Sequence, residues 1–568
     1  MTRLFDTHSV TPVQDLNGPW LFRTDPRETG KEDGWYKGLP GAETVIVPSV
    51  WNTQLDLLEY EGAAWYQRRF ATGGGCLRFC FEAVMTEAEV WLDDTFLGYH
   101  YGGFCQFDLI APQVEAGSHL LTVRVNNKAD EHGIPQVRAD WYHYGGIPRG
   151  VRVETLTGIC VLGNQLHYSL NDALDTADCH FVLDVFNAEA AECTSRLEIA
   201  LGGETVYSGS VTLAGGCREK ITLPHFTVEN IRLWSAEDPQ LYEIRIRTES
   251  GDLVDKTGFR KVCVEGEKLL LNGKPVELRG VNRHEEHPDW GFAFPAGLMK
   301  RDLDIITDLG CNTIRGSHYP NSQIFVDMLD ARGIYFWSEI PIWGCGFSKE
   351  ALGDPIVVER GLQMHKEMLW HYFNHPSIIL WGLHNEILTD TDEAIALTKT
   401  YYEYVKPNGG NRPVTYATYI AEVDRCMEYC DIISINAYYG WYSGDLNTWN
   451  EFVENFRKRR ESLGFGHKPV IFSEFGGAAL YGHHTFDDLR WTEEYQAKLL
   501  GYCLELFHAD PMVIGFYIWQ FSDIRTCQEM GLNRARSYNN KGIVNEYRKP
   551  KLAYHKVKQL YHRFREEA

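Results

Sequence analysis

Polar and charged side chains follow strongly apolar segments at seven places in the second half of the chain. Each apolar segment is long enough to form a buried strand. Carboxylates, amides or imidazoles are costly there unless they line a working pocket or pair with one another. The seven groups are Asn282-Arg283-His284-Glu285, Arg315-Gly316-Ser317-His318-Tyr319, Ser338-Glu339, His384-Asn385-Glu386, Asn436-Ala437-Tyr438-Tyr439, Ser473-Glu474 and Trp519-Gln520. This recurrence favours one shared pocket over seven separate contacts with solvent.

Two carboxylates on opposite sides of one pocket can cleave a glycosidic bond. One carboxylate attacks the anomeric carbon, and the other protonates the leaving oxygen. A separation of about 5–5.5 Å gives retention through a covalent intermediate. We predict Glu386 and Glu474 as this pair, with Glu339 as a third candidate.

The elements that carry these residues read as a barrel. Eight apolar strand-like runs alternate with amphipathic helical patterns over about 300 residues, which is typical of a (β/α)8 (TIM) barrel. The runs are Val276–His284, Asn312–His318, Ile334–Ile340, Ile378–Glu386, Val414–Tyr419, Ile432–Tyr438, Val470–Glu474 and Val513–Phe521. Functional groups of such barrels lie at the carboxyl ends of the strands. The fourth and seventh strands face each other there, which suits Glu386 and Glu474.

The first half of the chain has the two-residue periodicity of antiparallel strands. Leu121–Val125 and Tyr242–Arg247 alternate apolar with polar residues, between turns rich in Gly, Asn and Asp. The segment Arg149–Leu156 reads as the closing strand of a first β-sandwich. We therefore predict three domains: residues 1–158, residues 159–265 as a second sandwich, and residues 266–568 as the barrel.

Bulk properties exclude some classes of partner. The formal net charge of −23 argues against nucleic acid or an anionic membrane surface as a partner. No apolar run approaches the roughly 20 residues of a membrane span, and the N-terminus lacks the apolar stretch of a signal peptide. The 14 cysteines are scattered, without zinc-site spacing, which favours reduced thiols in a cytoplasmic protein. No metal ion is expected.

Two long motifs resemble the signatures of glycoside hydrolase family 2. The segment Phe373–Glu386, FNHPSIILWGLHNE, resembles the acid/base signature, and Asn312–Pro320, NTIRGSHYP, resembles the other signature. The resemblance covers the whole chain and implies a jelly-roll β-sandwich, an immunoglobulin-like β-sandwich and a barrel. It implies that Glu386 is the acid/base and that Asn385 binds the sugar 2-hydroxyl. Because Ile471–Gly476 resembles the nucleophile strand, Glu474 takes that role.

Two further segments resemble the β-glucuronidase branch of the family. They are Tyr438-Tyr439-Gly440-Trp441-Tyr442 and Asn539-Asn540-Lys541-Gly542-Ile543. In that branch an Asn-x-Lys element grips the glucuronate carboxylate, which implies this role for Asn539 and Lys541. An amide and an ammonium are suitable donors to a carboxylate. The alternative is an ordinary polar turn, for which the composition is also suitable.

Five other positions are implied as substrate contacts by the same resemblance. Asp140 matches an aspartate that reaches into the pocket from the first domain, and a loop acid that caps a turn is its alternative. Trp519 matches the tryptophan that lies beneath the sugar in that branch. The alternative is that Trp519 only packs in the core. Tyr438, Tyr442 and His284 match the tyrosines and the histidine of the pocket.

The sequence departs from the branch at two places. Ala535 stands where the branch has an arginine, and the flanking Arg534 and Arg536 could each substitute for it. The connection from Pro341 to Asp354 is short where some relatives carry a longer loop, which predicts an open mouth.

The resemblance implies a retaining exo-β-glucuronidase that acts on small-molecule or oligosaccharide glucuronides without a metal or an organic cofactor. A β-galacturonidase or β-galactosidase of the same fold is the nearest alternative. A carbohydrate-binding protein with a decayed barrel is an alternative of a different class, against which the intact Glu386 and Glu474 argue. The sequence leaves the oligomeric state open, including a homo-oligomer.

Overall fold

The computed structural model describes residues 3–344 and 346–567. The first domain packs two antiparallel sheets face to face around a core of aromatic and branched side chains. The four-stranded sheet contains, in spatial order, Val13–Asp15, Val151–Leu156, Gly75–Phe81 and Phe107–Val114. The six-stranded sheet contains Glu43–Val47, Gly18–Asp25, Ala63–Thr72, Gly117–Asn126, Glu87–Leu92 and Thr95–Tyr101. A short ribbon, Ser49–Val50 with Gly146–Ile147, lies beside the segment that carries Asp140.

The middle sandwich encloses its own apolar core. One sheet contains Ile159–Leu170, Thr176–Asn187 and Arg218–Thr222, with Phe226–Glu229 also paired to the second of these strands. The other sheet contains Glu204–Leu213, Cys193–Leu201, Tyr242–Arg247 and Asp252–Thr257. A small sheet formed by Val262–Glu265, Lys268–Leu271 and Lys274–Pro275 leads into the last domain.

The last domain is a closed barrel of eight parallel strands, as predicted. In chain order the barrel strands are Leu278–Arg283, Thr313–Gly316, Tyr335–Glu339, Ile378–Asn385, Val414–Thr418, Ile433–Asn436, Val470–Phe475 and Val513–Ile518. Every residue of these strands is buried, because helices cover the outside of the barrel and side chains fill its interior. The multidomain fold predicted from the sequence is confirmed.

The helices around the barrel begin where their sequences supply capping groups. The Asp354 side chain caps the helix that begins at Pro355 by accepting a hydrogen bond from the Ile356 amide. The Thr492 side chain caps its helix by accepting a hydrogen bond from the Tyr495 amide. The α-helices of the described chain are Ala296–Leu309, Gln323–Arg332, Lys349–Leu352, Pro355–Tyr372, Asp392–Asn408, Thr448–Ser462, Glu493–His508, Gln528–Gly531 and Leu552–Glu567. No helix in the described part of the chain is long and apolar enough to cross a membrane.

Arg3 ties the N-terminal segment to the other two domains. Its guanidinium donates to both carboxylate oxygens of Asp327, on the second barrel helix, and to Asp255 of the middle domain. Asp327, Asp330 and His375 have the composition of a metal site. The Asp327 oxygens are already engaged by Arg3, and Asp330 accepts from the Ser377 amide and contacts His375. The cluster therefore serves as an ion-paired junction.

Asp302 connects the first strand of the barrel to the segment that follows the eighth strand. This fully buried carboxylate on the first barrel helix accepts hydrogen bonds from Arg283, on the first strand, at 3.0 Å and from Arg548, beyond the eighth strand, at 3.0 Å. Two buried guanidinium groups thus share this carboxylate, and Glu285 lies further from Arg283, at 4.0 Å. Removing one partner of such a group leaves charge uncompensated in the interior.

We therefore predict that Asp302→Asn destabilises the barrel by about 3–5 kcal/mol. Thermal unfolding followed by circular dichroism measures the shift in midpoint. The matched control is Asp304→Asn on the same helix, because Asp304 pairs with Lys300 and Arg332 from a half-exposed position. Its midpoint should stay close to that of the unmodified protein. Equal shifts for the two variants would contradict this role of Asp302.

Candidate active site

A cavity of about 740 Å³ opens at the carboxyl ends of the barrel strands. Seven of the ten predicted site residues line it: Asp140, Glu386, Tyr438, Tyr442, Glu474, Trp519 and Lys541. The other three lie against lining residues. Asn385 accepts a hydrogen bond from Asn436, the His284 ring packs against Trp519, and Asn539 donates to Asp140. The structure thus brings all ten together.

Glu474 lies on the seventh barrel strand and is held at both carboxylate oxygens. Arg315 Nη1 donates to Oε1 at 2.9 Å, and the Tyr438 hydroxyl donates to Oε2 at 2.6 Å. Burial raises the pKa of Glu474 to about 7, although the Arg315 charge opposes the rise. The two donors fix the orientation of the carboxylate and favour its ionised form.

Glu386 follows directly after the fourth barrel strand. Its φ of 53° lies in the left-handed region, which turns the chain out of the strand direction, and its amide donates to the Ala417 carbonyl at 2.8 Å. Asn436 Nδ2 donates to Oε1 at 2.8 Å. Burial, and then the nearby Glu474 charge, raise the pKa of Glu386 to about 8. Glu386 therefore holds its proton more strongly than Glu474 does.

Arg315, at the end of the second strand, connects the groups around both carboxylates. Besides Glu474 it donates to both oxygens of Glu339, at 3.0 and 2.8 Å, and to Asn385 Oδ1 at 2.7 Å. The buried Asn385 Nδ2 amide has no hydrogen-bond partner in the part of the chain that the structure describes, so it is a free donor close to the pair. Glu339, the third candidate carboxylate, does not line the cavity because Arg315 and His318 engage it.

Aromatic rings form the floor of the cavity. Trp519 is nearly fully buried and stacks on the His318 ring, with centroids 5.1 Å apart. His284 packs edge to face against Trp519, with centroids 5.5 Å apart. Burial lowers the pKa values of His284 and His318, so both imidazoles are neutral. The Nε2 atom of each has no hydrogen-bond partner among the described residues, and that of His318 lies 3.8 Å from Glu474 Oε1. Two neutral polar groups are therefore available beside Trp519.

Lys541 forms the other end of the pocket together with Tyr442 and Arg534. Lys541 Nζ donates to the Tyr442 hydroxyl at 2.7 Å, and Arg534 Nη1 donates to the same oxygen at 3.3 Å. Arg534 also pairs with Asp140, at 2.6 Å, and Asn539 Nδ2 donates to the second Asp140 oxygen at 2.5 Å. Asp140 thus reaches this end of the barrel mouth from the first domain.

The two arginines that flank Ala535 occupy different places. Arg534 lines the cavity, whereas Arg536 turns away to pair with Glu546 and to donate to Asn540. The Pro341–Asp354 connection buries Trp343, Phe347 and Leu352 against the domain. The open mouth stays a prediction.

Several participating residues were not chosen from the sequence. Arg315, Asn436 and His318 contact the Glu386–Glu474 pair or the floor, and Trp343 lines the cavity. Arg315, Asn436 and His318 stand at the ends of barrel strands, so the strand-end pattern contained the signal. The separate roles of neighbouring residues at those ends depend on side-chain direction, which the pattern does not specify.

Comparison with known proteins identifies the family of the chain. Residues 262–566 match the TIM barrel domain of glycosyl hydrolases family 2, residues 13–157 match its sugar binding domain, and residues 164–260 match the remaining family 2 domain. A β-glucuronidase from Paenibacillus borealis is 27% identical, with 97% of each chain covered.

Solved structures give the same result. A family 2 β-galacturonidase from Eisenbergiella tayi bound to galacturonate is 31% identical, with a TM-score of 0.92 and 99% of each chain covered. The Ruminococcus gnavus β-glucuronidase is 26% identical, with a TM-score of 0.87 and 99% of each chain covered. The resemblance carried by the sequence motifs is thus confirmed, and the chain belongs to glycoside hydrolase family 2.

Proposed function

We propose that the protein is a retaining exo-β-glucuronidase that removes terminal β-D-glucuronate from its substrates. The observation that carries this proposal is the buried ammonium group of Lys541. Lys541 is 1% exposed and lines the same cavity as Glu386 and Glu474. Within residues 3–344 and 346–567 no carboxylate lies within ion-pairing distance of its Nζ atom.

A buried charge without a counterion is unfavourable, so an anionic ligand at this place would be stabilised. Arg534 adds a second cation beside the shared Tyr442 hydroxyl. Asp140 pairs with Arg534 and offsets part of its charge, whereas no carboxylate of the described residues offsets the charge of Lys541. A sugar that carries a carboxylate at C5 would place this anion against Lys541 while its anomeric carbon meets the two glutamates.

The proposed reaction proceeds by double displacement. Ionised Glu474 attacks the anomeric carbon, and the bond to the leaving oxygen breaks as that oxygen takes the proton of Glu386. Glu386, now ionised, removes a proton from water, whose oxygen attacks the anomeric carbon and releases Glu474. Asn385 Nδ2 is suitably free to donate to the sugar 2-hydroxyl.

A β-galacturonidase is the second candidate, and one observation favours it. The Eisenbergiella tayi β-galacturonidase has the higher identity and TM-score of the two structures compared. Galacturonate differs from glucuronate only in the configuration at C4, so Lys541 serves both sugars. A β-galactosidase is disfavoured because a neutral sugar leaves Lys541 without its anion.

Initial rates on the p-nitrophenyl β-glucuronide, β-galacturonide and β-galactoside test the proposal. The glucuronide should react with the highest kcat/KM and the galactoside with the lowest. Faster hydrolysis of the galacturonide would transfer the assignment to the second candidate. Preference for the galactoside would contradict both acidic-sugar assignments.

Substitution of the catalytic pair tests the two roles. Glu474→Gln should abolish turnover because no nucleophile remains. Glu386→Ala should retain activity on substrates with good leaving groups, and added azide should restore its turnover with formation of a β-glycosyl azide. Nuclear magnetic resonance of the product identifies its anomer. An α-azide from the Glu386 variant would reverse the assigned roles.

The pKa values of the pair predict a bell-shaped pH profile of kcat/KM. Below about pH 7 Glu474 gains a proton and stops acting as the nucleophile, and above about pH 8 Glu386 loses the proton that the leaving group needs. The optimum should fall between these limits. In Glu386→Ala, assayed with a 2,4-dinitrophenyl glycoside, the alkaline limb should disappear. An unchanged alkaline limb would show that ionisation of a group other than Glu386 causes it.

Lys541→Ala tests recognition of the carboxylate. Removing one partner of a buried charge pair costs on the order of 2–5 kcal/mol, or about thirty- to several-thousandfold in kcat/KM. Glucuronide hydrolysis should fall by this factor and trace galactoside hydrolysis should not. Asn539→Ala should act more mildly, because Asn539 positions Asp140 and accepts a hydrogen bond from the Lys541 amide.

The matched control is Lys549→Ala, because this lysine lies in the same terminal segment but its side chain is exposed and outside the cavity. It should leave the rates on both substrates unchanged. Equal losses on both substrates in Lys541→Ala would contradict the carboxylate role.

A further inference from the structure

The cavity has a buried inner part and an exposed outer part. Glu474, Asp140 and Lys541 are buried, and Glu386 is partly buried. Arg138, Arg490, Tyr419 and Glu422 line the same cavity and are exposed. In the exo reaction proposed above, on which this inference rests, the terminal sugar occupies the inner part. The leaving group then extends towards solvent and meets the exposed lining residues.

Arg138 lies on the first-domain segment that also carries Asp140, two residues further on. Its backbone carbonyl packs against Gly346, and nearby Gly344 donates to the Asn385 carbonyl at 2.8 Å. Arg138 is thus placed on the side of the mouth that carries Glu386, the proposed proton donor to the leaving group.

Arg490 lies on a different wall of the mouth, after the seventh strand. It precedes Trp491, whose ring packs edge to face against Trp441 with centroids 5.1 Å apart. The Glu493–His508 helix begins immediately afterwards, with Thr492 as its cap. The backbone beside Arg490 is therefore anchored, while its side chain stays exposed.

The two arginines carry uncompensated charge. Neither forms an ion pair with any carboxylate in the described residues, 3–344 and 346–567. Glu422 is the exposed acidic group of the cavity lining, and it accepts a hydrogen bond from Tyr439 at 3.1 Å. The whole protein has a formal net charge of −23, so free cations concentrated at one mouth produce a local field of opposite sign.

We propose that Arg138 and Arg490 bind an anionic substituent on the leaving group. The substrate class is then the terminal uronide of an acidic oligosaccharide, with a sulfate or a second uronate carboxylate on the sugar next to the cleaved bond. Lys541 binds the carboxylate of the terminal sugar inside the cavity. The two exposed arginines bind the second anionic group at the mouth.

The test compares kcat/KM on a β-glucuronosyl-(1→3)-N-acetylhexosamine with and without a 6-sulfate, at low and at high salt. A glucuronosyl-(1→4)-glucuronate disaccharide and its reducing-end methyl ester form the carboxylate pair. If the galacturonide is the faster p-nitrophenyl substrate, the corresponding galacturonosyl pairs are used. The unmodified protein should prefer each anionic member about five- to twentyfold at low salt, and the preference should decline with added salt.

Arg138→Gln and Arg490→Gln should each lower the preference about two- to fivefold, mainly through KM, and the double variant should abolish it. The matched control is Arg247→Gln, an exposed arginine of the middle domain outside the cavity. It carries the same change in net charge and should retain the full preference.

The outcomes separate this inference from the proposed function. Hydrolysis of p-nitrophenyl uronide together with equal rates on the charged and neutral disaccharides would overturn the inference alone. The inference would also be overturned if Arg247→Gln lowers the preference for the anionic substrates as much as Arg138→Gln and Arg490→Gln do. A protein that hydrolyses neither p-nitrophenyl uronide would overturn the proposed function, and the inference with it.

Discussion

The buried guanidinium of Arg315 is the group on which the geometry of the site depends. It is fully buried and donates to Glu339, Glu474 and Asn385, which lie on the third, seventh and fourth strands. A guanidinium presents its donors in one rigid plane, so these contacts fix the relative positions of side chains from opposite sides of the barrel. Glu339 supplies a counterion that leaves Arg315 able to orient Glu474.

The same arrangement makes the carboxyl groups of Glu474 and Glu386 unequal. Glu474 contacts a cation and a phenol, whereas Glu386 contacts a neutral amide and is close to the Glu474 charge. Their pKa values therefore separate, to about 7 and about 8. Two carboxylates in different environments can act as nucleophile and acid at one pH. Burial raises both values, and the contacts decide their order.

Much of the fold and part of the site could be predicted because local patterns dictate them. The eight apolar runs correspond to the eight barrel strands. The position of Asp140 in the site was predicted only from the family resemblance, because no local sequence pattern indicates that a loop of the first domain enters the mouth of the barrel. Arg534 and Arg536 could not be separated, because Arg536 has a φ of 63° and the intervening turn sends the two side chains in different directions.

The central claim is that Glu474 forms a covalent bond to an acidic sugar. Incubation with 2-deoxy-2-fluoro-β-D-glucuronyl fluoride, proteolysis and tandem mass spectrometry test it directly, because the fluorine slows breakdown of the intermediate. The account predicts a stable adduct of the fluoroglucuronyl group on the peptide that contains Glu474, specifically on this residue. A label on Glu386, or unlabelled protein that nevertheless hydrolyses the fluoride, would contradict it.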